Sequence, residues 1–218
     1  MDVILASASP RRRELLAEIY PDFRVVTAEV DERAIEKRIT CEYKRATMLE
    51  GDMPGLARVL CCRLARAKAE AVYNKLGKPA DTLLIGADTA VAVSDEILGK
   101  PIDRNDAVRM LRKESKMPQQ VISGVCLIKD GRARVFSEIS RVYFKPLDEA
   151  QEARIQSYCD TNEPYDKAGA YGIQAGADSL IAHYDGSYSN IVGFPVEKVK
   201  EELEKFFFGI EPLMEFKL

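Results

Sequence analysis

Residues 4–16, ILASASPRRRELL, hold an apolar run, two serines, a proline, three arginines and a leucine pair. The apolar run predicts a buried strand that ends near Ala6, and the segment after it predicts a helix that starts near Pro10. Ser9 is a good N-cap residue, and proline suits the first helical position because no N–H partner is needed there. The rest of the chain is organised around this strand, tight loop and helix.

The loop between this strand and helix has the composition of an anion site. The Ser7 and Ser9 hydroxyls and the Arg11 and Arg12 guanidiniums would converge with the free amides of the first helical turn. Such a point favours phosphate, since the helix dipole, the free N–H groups and the guanidiniums all attract anions. A solvated basic turn is the alternative, because helix N-termini normally favour acidic side chains.

The length, charge and residue composition limit the classes of function that the chain can have. The chain has 218 residues, a net charge of −3, one histidine and five cysteines. The length suits one large domain or two small lobes. An acidic chain with a local basic loop favours a small anionic ligand over a nucleic acid polymer. A single histidine excludes most zinc sites and makes a Ser-His-Asp or Cys-His nucleophile improbable.

The cysteines and the apolar runs predict a cytoplasmic location. The cysteines are odd in number, show no Cys-x-x-Cys spacing and follow no signal peptide, a pattern typical of reduced thiols. No apolar run approaches the length of a membrane span, so no membrane partner is expected.

A lysine interrupts the apolar stripe of a predicted helix over residues 56–76. Leu60, Leu64, Lys68 and Val72 are four residues apart and therefore share one face. A lysine on such a face needs an anionic partner, or its stem lies along the helix and its ammonium reaches solvent. Both interpretations stay open.

Residues 82–93, TLLIGADTAVAV, predict a central strand that is buried on both faces. Asp88 stands in its middle, where a charge is unfavourable unless it is paired, hydrogen-bonded or bound to a metal. Asp88 is thus the best candidate for a working carboxylate, and an aspartate that only ties down a loop is the alternative. Lys100, which follows shortly after, is a second cation that could reach the same site.

Three further segments carry weaker signals. Residues 30–33 predict a loop in which Glu32 is either solvated or functional, and residues 40–55 predict a short helix and a loop of unassigned role. Residues 163–174, EPYDKAGAYGIQ, are too polar and too rich in glycine for a core. Small residues let a backbone approach a ligand, and Gln174 could hydrogen-bond a base edge.

Five segments together resemble one known family, the Maf proteins, which are nucleoside triphosphate pyrophosphatases long labelled septum-formation proteins. They occur in the family's order: LASASPRR (5–12), LARAKA (64–69), GADT (86–89), KAGAYGIQ (167–174) and GSYSNIVG (186–193).

The resemblance implies an α/β fold with a long mixed twisted sheet, helices on its faces and two lobes around a central cleft, similar to inosine triphosphate pyrophosphatases. Residues 1–218 would form a single domain of this kind. It also implies cleavage between the α- and β-phosphates to a nucleoside monophosphate and pyrophosphate, a divalent cation (Mg²⁺ or Mn²⁺) and a homodimer.

The resemblance also assigns roles to residues. Asp88 is the family's proton acceptor, and catalysis is expected from Asp88, Lys68 and Glu32. The metal is expected at Glu32 and Asp88. Substrate binding is expected from Ser7, Ser9, Arg11, Arg12, Thr89, Lys100, Lys167 and Gln174.

Three positions distinguish the branches of the family. Arg11, Thr89 and Gln174 are as in the branch that takes dTTP, UTP and related pyrimidine nucleotides, while another branch takes 7-methyl-GTP. Two features depart from the family pattern: Ala175 replaces a glycine, and Gln119-Gln120 replaces a His-Glu pair.

Two alternative functions remain. One is a nucleotide-binding regulator of cell division with little turnover, against which the intact Asp88, Lys68 and Glu32 speak. The other is a pyrophosphatase of a purine or modified nucleotide such as 7-methyl-GTP.

Overall fold

A computed structural model describes residues 1–47, 51–174 and 176–208. Its strands are β1 (Asp2–Leu5), β2 (Arg24–Val25), β3 (Thr82–Val93), β4 (Glu96–Leu98), β5 (Gln119–Lys129), β6 (Arg132–Phe144) and β7 (Ile181–Asp185). Its α-helices are α1 (Pro10–Ala17), α2 (Glu32–Thr47), α3 (Met53–Lys75), α4 (Arg104–Glu114), α5 (Glu149–Cys159), α6 (Tyr188–Val192) and α7 (Val196–Phe208).

The strands form one mixed sheet. Six of them follow the order β2-β1-β3-β5-β6-β7, and β4 pairs with β3 outside this path. β1 is parallel to β2 and β3, whereas the other pairs are antiparallel. Parallel neighbours need a crossover, which α1 provides between β1 and β2. The mixed sheet and its helices confirm the predicted α/β fold.

The central strand β3 is covered on both faces. Leu83 and Ile85 belong to a core cluster with Phe194, and the alternate residue Leu84 belongs to another cluster with Ala65 of α3. Successive side chains of a strand point to opposite faces, so a strand covered on both sides has no polar face. This explains the nearly continuous apolar run that predicted the strand.

Two glycines bring α3 unusually close to the sheet. A Cβ on Gly86 would come 2.3 Å from the carbonyl oxygen of Ala65, and one on Gly124 would come 2.4 Å from the carbonyl carbon of Cys61. Only a residue without a Cβ fits such a contact. The α3 backbone therefore packs directly on β3 and β5, and the next turn of α3 presents Lys68 to the sheet.

Part of the glycine-rich segment 163–174 lies in the core, contrary to prediction. Ala170 and Tyr171 are buried, and the Tyr171 ring meets Phe144 edge-on with 5.1 Å between ring centroids. Gly169 has a φ of 75°, which favours glycine, and this turn points the next residues inward. The small residues thus serve core packing as well as the approach of a ligand.

The helix α2 corrects two loop predictions. The Asp31 carboxylate accepts a hydrogen bond from the Ala34 amide at 3.0 Å and so caps a helix that begins at Glu32. Within residues 40–55, the part up to Thr47 belongs to α2, and Asp52 caps α3 by accepting from the Gly55 amide. Residues 48–50 lie outside the described ranges.

The cysteines carry no disulfide in the structure: all five are free and four of them are buried. Burial raises the pKa of Cys62 to about 11. Within the described ranges, none of the helices combines the length and apolarity that crossing a membrane requires.

Candidate active site

Asp88 and Lys68 form an ion pair between β3 and α3. Lys68 Nζ lies 2.6 Å from Asp88 Oδ1, and both side chains are about one-sixth exposed, at 17% and 16%. Lys68 lies between the buried Leu64 and Val72 on the predicted stripe of α3. Of the two interpretations of this lysine, the structure contains the one with an anionic partner.

Glu32 reaches the same lysine from α2. Its Oε1 is 3.1 Å from Lys68 Nζ, and its side chain is half-exposed. Glu32 occupies the first turn of α2, where the helix dipole favours a carboxylate. Two carboxylates from different elements therefore meet at one ammonium.

Arg12 ties the N-terminal loop to the sheet. Its guanidinium donates to the carbonyl oxygens of Gly193 and Ala87, each at 3.0 Å, to Thr89 Oγ1 at 3.0 Å and to Ser7 Oγ at 3.2 Å. A guanidinium has five N–H donors, so the described residues leave one for a ligand. The main role of Arg12 is therefore structural: it holds the loop, the strand β3 and Gly193 together.

Among the described residues, Thr89 and Ser7 are the two side chains that accept hydrogen bonds from Arg12. Thr89 Oγ1 donates to the Gly193 carbonyl at 3.1 Å, accepts from Arg12 and lies 2.9 Å from the Ser123 hydroxyl. The hydroxyl is therefore fully used by the protein. Ser7 is buried and is not among the side chains that line the cleft, unlike the other predicted site residues.

Ser9 and Arg11 face the cleft at the start of α1. Ser9 occupies the N-cap position of a helix with proline at its start, as predicted, but its side chain makes no capping hydrogen bond in the described chain. Its hydroxyl is therefore available to a ligand. Arg11 lies 3.7 Å from the Asp166 carboxylate.

Lys167 is enclosed by the turn that precedes it. Its ammonium donates to the Glu163 carbonyl at 2.6 Å, to the Glu163 carboxylate at 3.1 Å and to the Asp166 carboxylate at 2.6 Å. These contacts use all three of its donors. Lys100 and Gln174 lie on the cleft wall with exposed side chains.

These residues line one cleft of about 870 Å³. Its lining includes five cationic and five acidic side chains: Arg11, Arg12, Lys68, Lys100 and Lys167, and Glu32, Glu36, Asp88, Glu163 and Asp166. The sequence predicted all five cations but only two of the acids, Glu32 and Asp88, so it underestimated the negative charge of the cleft. The other three acids come from the face of α2 and from the turn before Lys167.

Most of the chain, including the cleft residues, is similar to one known protein family. A family model described as "Maf-like protein" matches residues 2–206, nearly the whole chain. The chain belongs to the Maf family. This confirms the resemblance carried by the five sequence segments.

Curated Maf relatives are similar along nearly their full length. A protein of Geotalea uraniireducens is 42% identical and one of Symbiobacterium thermophilum is 40% identical. The matches cover 94% and 95% of this chain and the same shares of the relatives. A protein of Hahella chejuensis is 38% identical over 94% of this chain and 92% of its own. All three relatives are named dTTP/UTP pyrophosphatase.

Among solved structures, the Ham1 protein of Staphylococcus aureus is similar at a TM-score of 0.42 and 11% identity, over 97% of this chain and 100% of that one. This likeness is too low to bear on fold or function.

The Maf cleft contains acids that the sequence analysis did not single out. Glu36 lines it one helical turn after Glu32, and burial, followed by the charges of Asp88 and Glu32, raises its pKa. The four-residue spacing from Glu32 is a signal that would have found it once a helix was predicted there. Glu163 and Asp166 are visible only as neighbours of Lys167 in the chain.

A buried carboxyl lies behind the same cleft. Glu114 is 1% exposed, and its oxygens have no hydrogen-bond partner in the described chain. A Cβ on Gly169 would come within 2.7 Å of its Oε1, and the Tyr171 ring is next to that glycine. Burial raises the pKa of Glu114 well above its ordinary value. No sequence pattern predicted this placement.

The two departures from the Maf pattern differ in what the structure shows. Gln119 is fully buried at the start of β5, and its side-chain amide has no partner among the described residues. Ala175 lies outside the described ranges.

The acids suit a divalent cation that arrives with a phosphate ligand. Magnesium is commonly held by one or two carboxylates together with substrate phosphates. Glu32 and Asp88 supply two carboxylates at one point, whereas no cluster of three or more His, Cys, Asp or Glu side chains suited to a metal occurs in the described part of the chain. The donor set therefore fits a shared site better than a closed protein cage.

Proposed function

We propose that this protein is a nucleoside triphosphate pyrophosphatase that hydrolyses dTTP, UTP and related pyrimidine nucleotides to the monophosphate and pyrophosphate. The observation that carries the proposal is the Asp88 carboxylate, set in the central strand, paired with Lys68 at 2.6 Å and facing the cleft. The names of the Maf relatives support the reaction and the substrates.

Asp88 acts as the general base. It takes a proton from a water molecule whose oxygen attacks the α-phosphorus, and the bond from that phosphorus to the bridging oxygen of the β-phosphate breaks. The leaving group is pyrophosphate. Lys68 fixes the orientation of the Asp88 carboxylate through their ion pair. Transfer at phosphorus asks for positioning and charge neutralisation more than for covalent chemistry, and the cleft residues are of that kind.

The triphosphate tail lies along the cation-bearing side of the cleft. Ser9, Arg11, Lys100 and the remaining N–H donor of Arg12 are the groups that bind its oxygens. Thr89 and Ser7 support this binding by holding Arg12 in place. Lys167 contributes by fixing the turn beside Arg11, because its own donors are already used.

Gln174 contacts the base. Its exposed amide on the cleft wall offers both a donor and an acceptor, which suits the edge of a pyrimidine. Arg11, Thr89 and Gln174 together resemble the pyrimidine branch of the family.

Glu32 and Asp88, together with the phosphates, would hold a divalent cation, Mg²⁺ or Mn²⁺. When bound, it neutralises charge on the leaving pyrophosphate. We also propose that residues 1–218 form a single domain of two lobes, that the protein is a cytoplasmic homodimer, and that its ligand is a nucleotide rather than a nucleic acid polymer or a membrane. The free thiols support the reducing location.

A substrate panel tests the proposal. The purified protein is incubated with dTTP, UTP, CTP, 7-methyl-GTP and ITP in the presence of magnesium, and products are separated by ion exchange. We expect monophosphate and pyrophosphate, with dTTP and UTP hydrolysed fastest. Release of diphosphate and free phosphate would overturn the bond assignment, and a preference for 7-methyl-GTP or ITP would overturn the substrate class. Binding of all five without turnover would favour the regulator.

A further inference from the structure

Asp166 lies between two cations of the cleft. Its Oδ1 is 2.6 Å from Lys167 Nζ, and its Oδ2 is 3.7 Å from a terminal nitrogen of Arg11. The Lys167 side chain is 10% exposed, whereas that of Arg11 is 36% exposed. The short pair with Lys167 therefore anchors the carboxylate, and the longer pair with Arg11 is the one that opens.

Arg11 is the cation of this group that has donors to offer. Within the described ranges its guanidinium is paired only with Asp166, while the three donors of Lys167 are taken by Glu163 and Asp166. At 3.7 Å the Asp166 carboxylate is an ion-pair partner of Arg11 and not a hydrogen-bond acceptor. A phosphate oxygen that binds Arg11 therefore competes with Asp166 for the positive charge of the guanidinium.

We propose that Asp166 is a positioning residue that competes with phosphate for Arg11 and so promotes the release of pyrophosphate. This inference rests on the proposed function, since it takes Arg11 as a phosphate-binding cation. In the empty cleft Asp166 neutralises Arg11, and it returns to Arg11 when pyrophosphate leaves. Lys167 holds the carboxylate within reach throughout.

The competition operates at neutral pH. Burial by itself would raise the pKa of Asp166, but Lys167 and Arg11 together lower it below its usual range. The carboxylate is therefore ionised at neutral pH, where a nucleotide is ionised too. Exposed ion pairs of this kind change an affinity by about two- to fivefold, so every ligand that binds Arg11 is weakened by that factor.

The test is the affinity of the full-length protein for pyrophosphate in the presence of magnesium, measured by titration calorimetry and as inhibition of dTTP hydrolysis. For Asp166→Asn we expect the dissociation and inhibition constants to fall by about two- to fivefold. Glu163→Gln is the matched control. It also removes one negative charge from the cleft and one partner from Lys167, but Glu163 is not paired with Arg11 in the structure. We expect it to change either constant by much less.

A double substitution separates the pair from a general charge effect. In an Arg11→Gln background, Asp166→Asn should no longer tighten the binding of pyrophosphate. Equal tightening by Asp166→Asn and Glu163→Gln, tightening that persists without Arg11, or no tightening would each overturn the proposal. If thermal melting shows that Asp166→Asn does not fold, Asp166→Ser carries the same expectations.

Calorimetry needs no turnover, which keeps the two proposals apart. Tightening in Asp166→Asn with no nucleotide hydrolysis by the native protein would count against the proposed function alone.

Discussion

Lys68 Nζ lies 2.6 Å from Asp88 Oδ1, although one residue belongs to a helix and the other to the central strand. Their approach depends on the two glycines that let the α3 backbone touch the sheet, since side chains there would separate the two elements. The candidate site is therefore a consequence of how closely α3 packs on the sheet.

Asp88→Asn should lower turnover of dTTP by about 10²- to 10⁴-fold, because an amide cannot take the proton from water. The fold should persist, since Asn is nearly isosteric and Lys68 keeps Glu32 as a partner. Steady-state kinetics and thermal melting are the measurements. Asp95→Asn, which removes an exposed carboxylate in the turn between β3 and β4 and outside the cleft, is the control and should retain its rate. A comparable rate in both variants would remove Asp88 from the base role.

Glu32→Gln should raise the magnesium concentration needed for half-maximal activity by at least about tenfold, since one contact to a charged group contributes about 1.5–3 kcal/mol. Glu36→Gln, one helical turn away, provides the comparison because Glu36 is not paired with Lys68 in the structure. We expect a smaller rise from it in the same magnesium titration. Equal rises would show that the acids act only through their summed charge.

Gly124→Ala should destabilise the protein by about 1–3 kcal/mol, as overpacking does in well-packed cores. The added methyl would lie 2.4 Å from main-chain atoms of Cys61 and Cys62, which cannot move aside as a flexible side chain can. Urea unfolding measures the change. Gly99→Ala is the control, because its Cβ would meet no atom within 4 Å. A loss of stability no larger than that of the control would contradict the close approach of α3.

The free energy of unfolding of the Glu114→Gln variant should increase relative to that of the native protein as pH rises. Burial raises the folded-state pKa of Glu114 above the ordinary value of 4.5, so the folded state binds a proton that the unfolded state releases. The native protein therefore loses stability as pH rises above that value, by at most about 1.4 kcal/mol per pH unit, and the variant lacks this loss.

Urea unfolding of both proteins at pH 5.5 and pH 8 measures the difference. A gap between them that does not change with pH would mean that Glu114 is solvated in the folded state.

Local sequence patterns predicted the strands and helices in which buried apolar residues recur at regular spacing. The apolar run around Asp88 predicted β3 with the bounds it has, and the four-residue stripe through Lys68 predicted the face of α3. The structure adds two more local signals: the Asp-Gly turn of residues 130–131 joins β5 to β6, and Asp103 caps α4 by accepting from the Asp106 amide. An unfavourable charge within an apolar pattern singled out both members of the central ion pair, although it left open whether Lys68 has an anionic partner.

The sequence by itself thus determined the strand and the helix, and it singled out the acid and the cation that meet between them as candidates. The tertiary structure decided how the other charges are used. Four of the five Arg12 donors go to two carbonyls, Thr89 and Ser7, and the Lys167 donors go to the turn before it. Glu114 is enclosed without a partner among the described residues. The physical reason is that a strand or helix is specified by the period of its own residues. The partner of a charged side chain is set by whichever distant segment the packing brings within about 3 Å.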